Sequence, residues 1–177
     1  FQNGYVFGAV SVPLKSAGEN GQIKAGYGAG FEGTVNINET WGVVTHFSAN
    51  AHQVEITQSQ LKGTALTYWV MPGAIFKYSF MDTRTEYFGV YAMAMAGVQL
   101  YKPSKPINMT GSSGSLSAGL GIGVAYNFIR LGIKYIIANN KFEYTIYPND
   151  YNTKLRSSFI QISLGYNFDF YPRRKPK

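Results

Sequence analysis

The chain has 177 residues, of which only 14% are charged while 16% are aromatic, against roughly 25% charged in ordinary soluble proteins. It holds no cysteine, which excludes disulfides and thiolate metal sites, and no run of about 18 apolar residues, which excludes a transmembrane helix. The formal charge is +7, but four of the cations lie in the closing stretch "RRKPK", and no basic stripe suited to nucleic acid runs through the rest.

In chain order, eight segments alternate apolar and small or polar residues with period two, the signature of half-buried strands. The first, about 4–13, leaves its two faces ambiguous. The second, 23–37, sets Ile23, Ala25, Tyr27, Ala29, Phe31, Val35 and Ile37 against Lys24, Gly26, Gly28, Gly30, Glu32, Thr34 and Asn36. The third, about 40–51, sets Trp41, Val43 and Phe47 against Gly42, Val44, His46, Ser48 and Asn50. The fourth, about 65–80, carries Tyr68, Val70, Phe76, Tyr78 and Phe80 on its greasy face, and the fifth, about 86–100, carries Phe88, Val90, Val98 and Leu100. The sixth, 115–128, sets Leu116, Leu120, Ile122, Val124, Tyr126 and Phe128 against Ser117 and a row of glycines. The seventh, about 130–139, offers Leu131, Ile133, Tyr135 and Ile137. The eighth, 158–170, sets Ile160, Ile162, Leu164, Tyr166, Phe168 and Phe170 against Gln161, Ser163, Gly165, Asn167 and Asp169.

Short connections at 36–40, 81–85 and 128–130 alternate with longer polar ones near 13–22, 52–64, 101–114 and 139–156. An up-and-down barrel with both termini at the short-turn end produces that alternation. The segments exceed the five or so residues of an ordinary strand and reach the ~9–11 that cross a bilayer. The glycine rows make a poor solvated exterior and suit a cramped interior, where Trp69, Met71, Met93 and Met95 would fill space. Six strand charges, Lys24, Glu32, Lys77, Arg130, Lys134 and Asp169, share the parity of the small face; on the bulky face a charge near the bilayer midplane would cost roughly 2–4 kcal/mol. They are expected to form a charge network in the lumen, which plugs the barrel if paired and leaves a narrow pore if wet. Beside the short turns the bulky face gathers Trp41, Tyr78, Phe80, Phe88, Tyr126, Phe128, Phe168 and Phe170, as an aromatic girdle at the headgroup layer would.

On these alternating segments, glycine rows and aromatic ends, the chain resembles the eight-stranded outer-membrane β-barrel family, the OmpA-, OmpX- and OmpW-like group, over nearly its whole length. The last segment, "ISLGYNFDF", is similar to the family's C-terminal insertion signal, here followed by "YPRRKPK". The resemblance implies an all-β fold, a closed eight-stranded antiparallel up-and-down transmembrane β-barrel over 1–170 with a basic tail over 171–177. It implies a mature chain, freed of a signal peptide, in the outer membrane of a Gram-negative bacterium, monomeric, with membrane lipids as partners and an extracellular ligand at the loops. Members of the family range over structural anchors, adhesins, small-solute channels and a few lipid-modifying enzymes.

The chemistry visible in the sequence is sparse. His46 and Ser48 stand two apart on one strand face and could serve as base and nucleophile; the pair is similar to the His-x-Ser of outer-membrane lipid A deacylases, although the sequence continues "SAN". Glu55 would need a bend of the strand to orient His46. Polar lumen residues are expected in any such barrel, and no His/Asp/Glu spacing fits a metal, so neither catalysis nor a cofactor is expected. Exposed Tyr144, Tyr147 and Tyr151 are the candidate surface contacts; alternatively Phe142, Tyr144 and Ile146 extend the seventh strand. The expected role is structural or interactive at the cell surface. The alternatives are a narrow pore, a lipid-modifying enzyme, or a soluble lipocalin-like barrel with its greasy faces turned inward onto a hydrophobic ligand.

Overall fold

Period-two segments in hydrocarbon must pair every backbone N–H and C=O within the protein, and a sheet does so by closing on itself. The computed structural model describes residues 3–15, 22–56, 61–82, 86–104, 113–146 and 149–169. They form a closed antiparallel barrel whose strands follow one another in chain order: β1 (Asn3–Lys15), β2 (Gln22–Asn36), β3 (Trp41–Ile56), β4 (Leu61–Asp82), β5 (Tyr87–Ser104), β6 (Ser113–Tyr126), β7 (Ile129–Ile146) and β8 (Asn149–Asp169). The barrel closes where β8 returns to β1, from Asn3↔Asp169 to Lys15↔Ser158. Among the described residues no helix is long and apolar enough to cross a membrane.

The tight β6–β7 turn explains one backbone exception. Asn127 has φ 51°, a left-handed conformation that Asn tolerates better than most residues. Its side-chain Oδ1 accepts from the Tyr87 N–H at 2.9 Å, and its own N–H donates to the Tyr87 carbonyl at 2.8 Å. The turn is thereby tied to the start of β5.

The greasy faces lie outside. Leu116 is 78% exposed and Ile122 64%, and Val6, Val43, Tyr68, Leu131 and Leu164 are exposed with them. A lipocalin-like arrangement would turn these faces inward, so that alternative is corrected. The interior holds Trp69, Met71, Met93 and Met95, all buried, as their parity predicts. β1 takes the opposite pattern from its neighbours: its large rings, Tyr5 and Phe7, point inward and its valines outward. Glycines make the space for them. A Cβ on Gly30 would run into the Phe7 ring, and one on Gly165 would meet the Phe7 backbone and Cβ, so the small face of β2 and β8 accommodates the large face of β1.

Two expectations are overturned. Strict alternation places Ile23 outside and Lys24 inside, but the β2–β3 register shifts between Ile23 and Gly26. A bulge inserts one residue and reverses parity beyond it; Ile23 is buried and Lys24 exposed. The connection expected at 139–156 is instead β-hairpin, because β7 and β8 stay paired from Ile129↔Tyr166 out to Ile146↔Asn149. The alternation of Phe142, Tyr144 and Ile146 belongs to that extended strand.

Candidate functional site

Glu32 is the hub of the lumen. It sits in β2 opposite Tyr5 of β1 and His46 of β3, and closure of the barrel brings β7 across to it. Arg130 Nη2 lies 2.8 Å from its Oε2, Lys134 Nζ 3.0 Å from its Oε1, and His46 Nδ1 2.9 Å from the same Oε1. All four side chains are buried. Charges removed from water are tolerated only when paired and hydrogen-bonded, and here two fixed cations share one carboxylate. Aromatic faces take up the excess. Arg130 lies between the rings of Tyr91, at 3.8 Å, and Tyr5, at 4.5 Å, while Lys134 lies 4.6 Å above Phe7; such ring faces attract cations, more strongly when desolvated. Lys134 also donates to Ser163 Oγ at 3.1 Å, and the Tyr5 hydroxyl donates to the Arg130 carbonyl at 3.0 Å.

Toward the long-loop end the cluster continues as a polar chain. His46 Nδ1 donates to Glu32, which leaves Nε2 to accept the Ser48 hydroxyl at 3.0 Å. Ser48 accepts from Asn50 Nδ2 at 3.4 Å, and Asn50 Oδ1 accepts from Ser11 at 3.0 Å and from Gln161 at 3.4 Å. Alongside it Trp69, opposite Ser48, packs with Phe159 and Ile136 in one buried apolar cluster, with the Trp69 and Phe159 rings 5.6 Å apart and His52 5.2 Å from Phe159.

Glu32, His46 and Ser48 stand in the order acid, base, nucleophile. Glu32, not Glu55, is the carboxylate on His46, and Glu55 pairs with Lys24. The arrangement is nonetheless ill-suited to acyl transfer. In a working triad the carboxylate stabilises the imidazolium that forms when the base takes the nucleophile's proton. Glu32 is already neutralised by Arg130 and Lys134, and both cations oppose a third positive charge on His46. Ser48 is buried inside the barrel, directly opposite Trp69 on the β3–β4 ladder.

Of the six charges assigned to the lumen, three converge: Glu32, Arg130 and Lys134. Lys24 does not join them. The bulge turns it outward, and it pairs with Glu55 at 2.5 Å with its side chain 48% exposed. Lys77 donates to Asn36 Oδ1 at the short-turn end of the barrel. Asp169 ends β8 opposite Asn3, and its side chain lies outside the described part. Tyr5, Phe7 and Tyr91, which hold the cations, were missed by sequence reasoning; the only sequence sign was that β1 is apolar on both faces.

Trp41, Tyr78, Phe80, Phe88, Tyr126 and Phe128 are all exposed on the outer wall near the short turns. Ring contacts run from Tyr78 to Phe80 to Phe88, and from Phe128 through Tyr166 to Phe168; Phe76, against Trp41, joins them. Phe170 and Tyr147 lie outside the described residues. Tyr144 and Tyr151 are opposed across the β7–β8 ladder, and their side chains lie outside the described part.

No protein-family model matches the sequence, and no curated protein sequence matches it. Solved structures do. The outer membrane protein OprG from Pseudomonas aeruginosa aligns with a TM-score of 0.60 at 14% identity, over 95% of this chain and 96% of that one. Ail, the attachment invasion locus protein of Yersinia pestis, aligns with a TM-score of 0.49 at 16% identity, over 94% of this chain and 98% of that one. Neisserial surface protein A aligns with a TM-score of 0.48 at 16% identity, over 94% and 97%. At 14% identity the likeness to OprG is one of fold, and the chain has the fold of an eight-stranded outer-membrane β-barrel.

Proposed function

We propose that this barrel serves in the outer membrane of a Gram-negative cell as an anchored surface platform, neither conducting solutes nor catalysing a reaction. The observation that carries this reading is the lumen: Glu32 is bound by Arg130, Lys134 and His46, and Trp69, Met95, Ile136 and Phe159 belong to one buried apolar cluster inside the barrel. An interior of eight strands is just wide enough to be filled by side chains, and this one holds paired charges, apolar groups and buried polar side chains such as Gln99 and Gln161. Work then falls to the outer surfaces. The β7–β8 hairpin runs past the apolar face to Ile146↔Asn149, and Tyr144, Tyr147 and Tyr151 are the residues we assign to contacts with an extracellular partner, since tyrosine makes large contacts at low entropy cost.

Planar-bilayer recording tests the reading. The purified full chain is expected to insert without steady current steps. Reproducible unitary conductance, altered in Lys134→Ala, would show a wet lumen and return the narrow-pore reading.

A further inference from the structure

Three inward side chains on adjacent strands end in polar atoms that the protein itself does not meet. Trp69 of β4 and Gln99 of β5 stand directly opposite each other on their ladder, and both are 0% exposed. Among the described residues no group hydrogen-bonds the Trp69 Nε1 N–H, the Gln99 amide nitrogen, the Gln99 amide oxygen or the Ser117 hydroxyl. Ser117 is 5% exposed. It lies two residues along β6 from Ser115, the partner of Gln99, a diagonal position within reach of a long side chain. His52 Nε2 and Gln161 Oε1 are likewise unmet, on β3 and β8.

The wall beside these atoms has room and an apolar side. Ser117 faces Gly97 on β5 and Ala138 on β7, both too small to fill the space next to it. One inward step further along β6, a Cβ on Gly119 would meet nothing nearer than 3.4 Å, whereas one on Gly121 or Gly123 would come within 2.8 or 2.3 Å of its neighbours. The side chains nearest that Gly119 position are Met95 and Ile136, each at 3.5 Å. A buried polar atom without a partner costs its full desolvation, and native interiors hold few of them. The three side chains therefore call for a molecule that brings both donors and an acceptor. That molecule is neutral, because the polar atoms here carry no charge and the cations Arg130 and Lys134 are engaged by Glu32; an ion taken from water without an opposite charge is strongly disfavoured.

We propose that the β4–β5–β6 wall of the lumen binds a small neutral carboxamide. Its carbonyl accepts from Gln99 Nε2 and Trp69 Nε1, its N–H groups donate to Gln99 Oε1 and Ser117 Oγ, and its hydrocarbon part lies toward Met95 and Ile136. A primary amide is the complement of the glutamine amide, since each supplies an N–H and a C=O to the other; an alcohol, with one oxygen, does not span both. The proposal goes beyond the non-conducting reading and does not depend on it, and the bilayer recording tests that reading separately.

Trp41→Phe leaves Trp69 as the one tryptophan of the chain. The full chain with this substitution is refolded in detergent micelles with and without acetamide, so that entry is not limiting, and checked for heat-sensitive migration on a gel. The indole N–H resonance of Trp69 is then followed by NMR. It is expected to move saturably with acetamide in the millimolar range, as suits a ligand of so few atoms, and to stay in place with N,N-dimethylacetamide, which has no N–H. In the same background Gln99→Met removes two of the hydrogen bonds with little change in volume and is expected to weaken acetamide binding at least about tenfold. The absence of a saturable shift overturns the proposal and leaves these polar atoms to water alone. An equal response to the two solutes, or undiminished binding by Gln99→Met, also overturns it. Should Gln99→Met fail to migrate as folded, Ser117→Ala provides the comparison, with a loss of about fivefold expected and an unchanged affinity counting against the site.

Discussion

At the scale of single residues, Glu32 is the position on which the interior depends. It is the one anion among Arg130, Lys134 and His46, and it is buried with them. Replacing it by Gln keeps the shape but removes the negative charge, and leaves two cations in the bore with ring faces, hydroxyls and one amide oxygen to meet. Breaking a buried ion pair in this way typically costs about 3–5 kcal/mol, and Glu32→Gln is expected to lose stability on that scale, read from urea unfolding in lipid or detergent. A loss of only a few tenths of a kcal/mol, as for exposed pairs, would show that water reaches the cluster and that the lumen is not sealed. The charges of this site were legible in the sequence through parity alone: Glu32, Arg130 and Lys134 all carry the small-face phase. Their aromatic supports were not. β1 places apolar residues on both faces, so period two has no contrast to read there, and the inward turn of Tyr5 and Phe7 follows from the space that Gly30 and Gly165 leave.

At the scale of elements, alternation settles the face of a strand only while the strand is unbroken. β3 and β6 read correctly along their described lengths because no register shift interrupts the central pairing. β2 reads correctly from Gly26 onward and wrongly before it, because one inserted residue at the bulge exchanges the roles of Ile23 and Lys24. The same face logic makes a direct prediction on β6. Leu120 is exposed in the middle of the strand and Leu116 toward its long-loop end. Leu120→Arg is expected to destabilise the barrel by roughly 2–4 kcal/mol and Leu116→Arg by no more than about 1 kcal/mol, as depth in the bilayer dictates. The check is unfolding in lipid vesicles; equal, near-zero effects at both sites would mean that the exterior meets water.

At the scale of the whole molecule, closure is what lets this sequence live in lipid. An open sheet of these strands would leave two edges of unpaired backbone in hydrocarbon, and the β8–β1 ladder from Asn3↔Asp169 to Lys15↔Ser158 removes them. Folding is therefore expected to require detergent or lipid, and the unboiled protein to migrate on a denaturing gel at a position that boiling shifts. A monodisperse folded protein in plain buffer would overturn the lipid-facing assignment of the outer wall. The sequence by itself determined the class of fold and the side of the wall to which most residues belong, because side-chain period and turn spacing are local properties that the chain carries wherever it goes. Only the tertiary structure decided which charges meet. Glu32 and Arg130 lie 98 positions apart in the chain, and their encounter depends on the stagger with which eight strands close, as do the packing of Trp69 against Phe159 and the exclusion of Lys24. No local pattern encodes that stagger, since it is the sum of every ladder and bulge around the barrel.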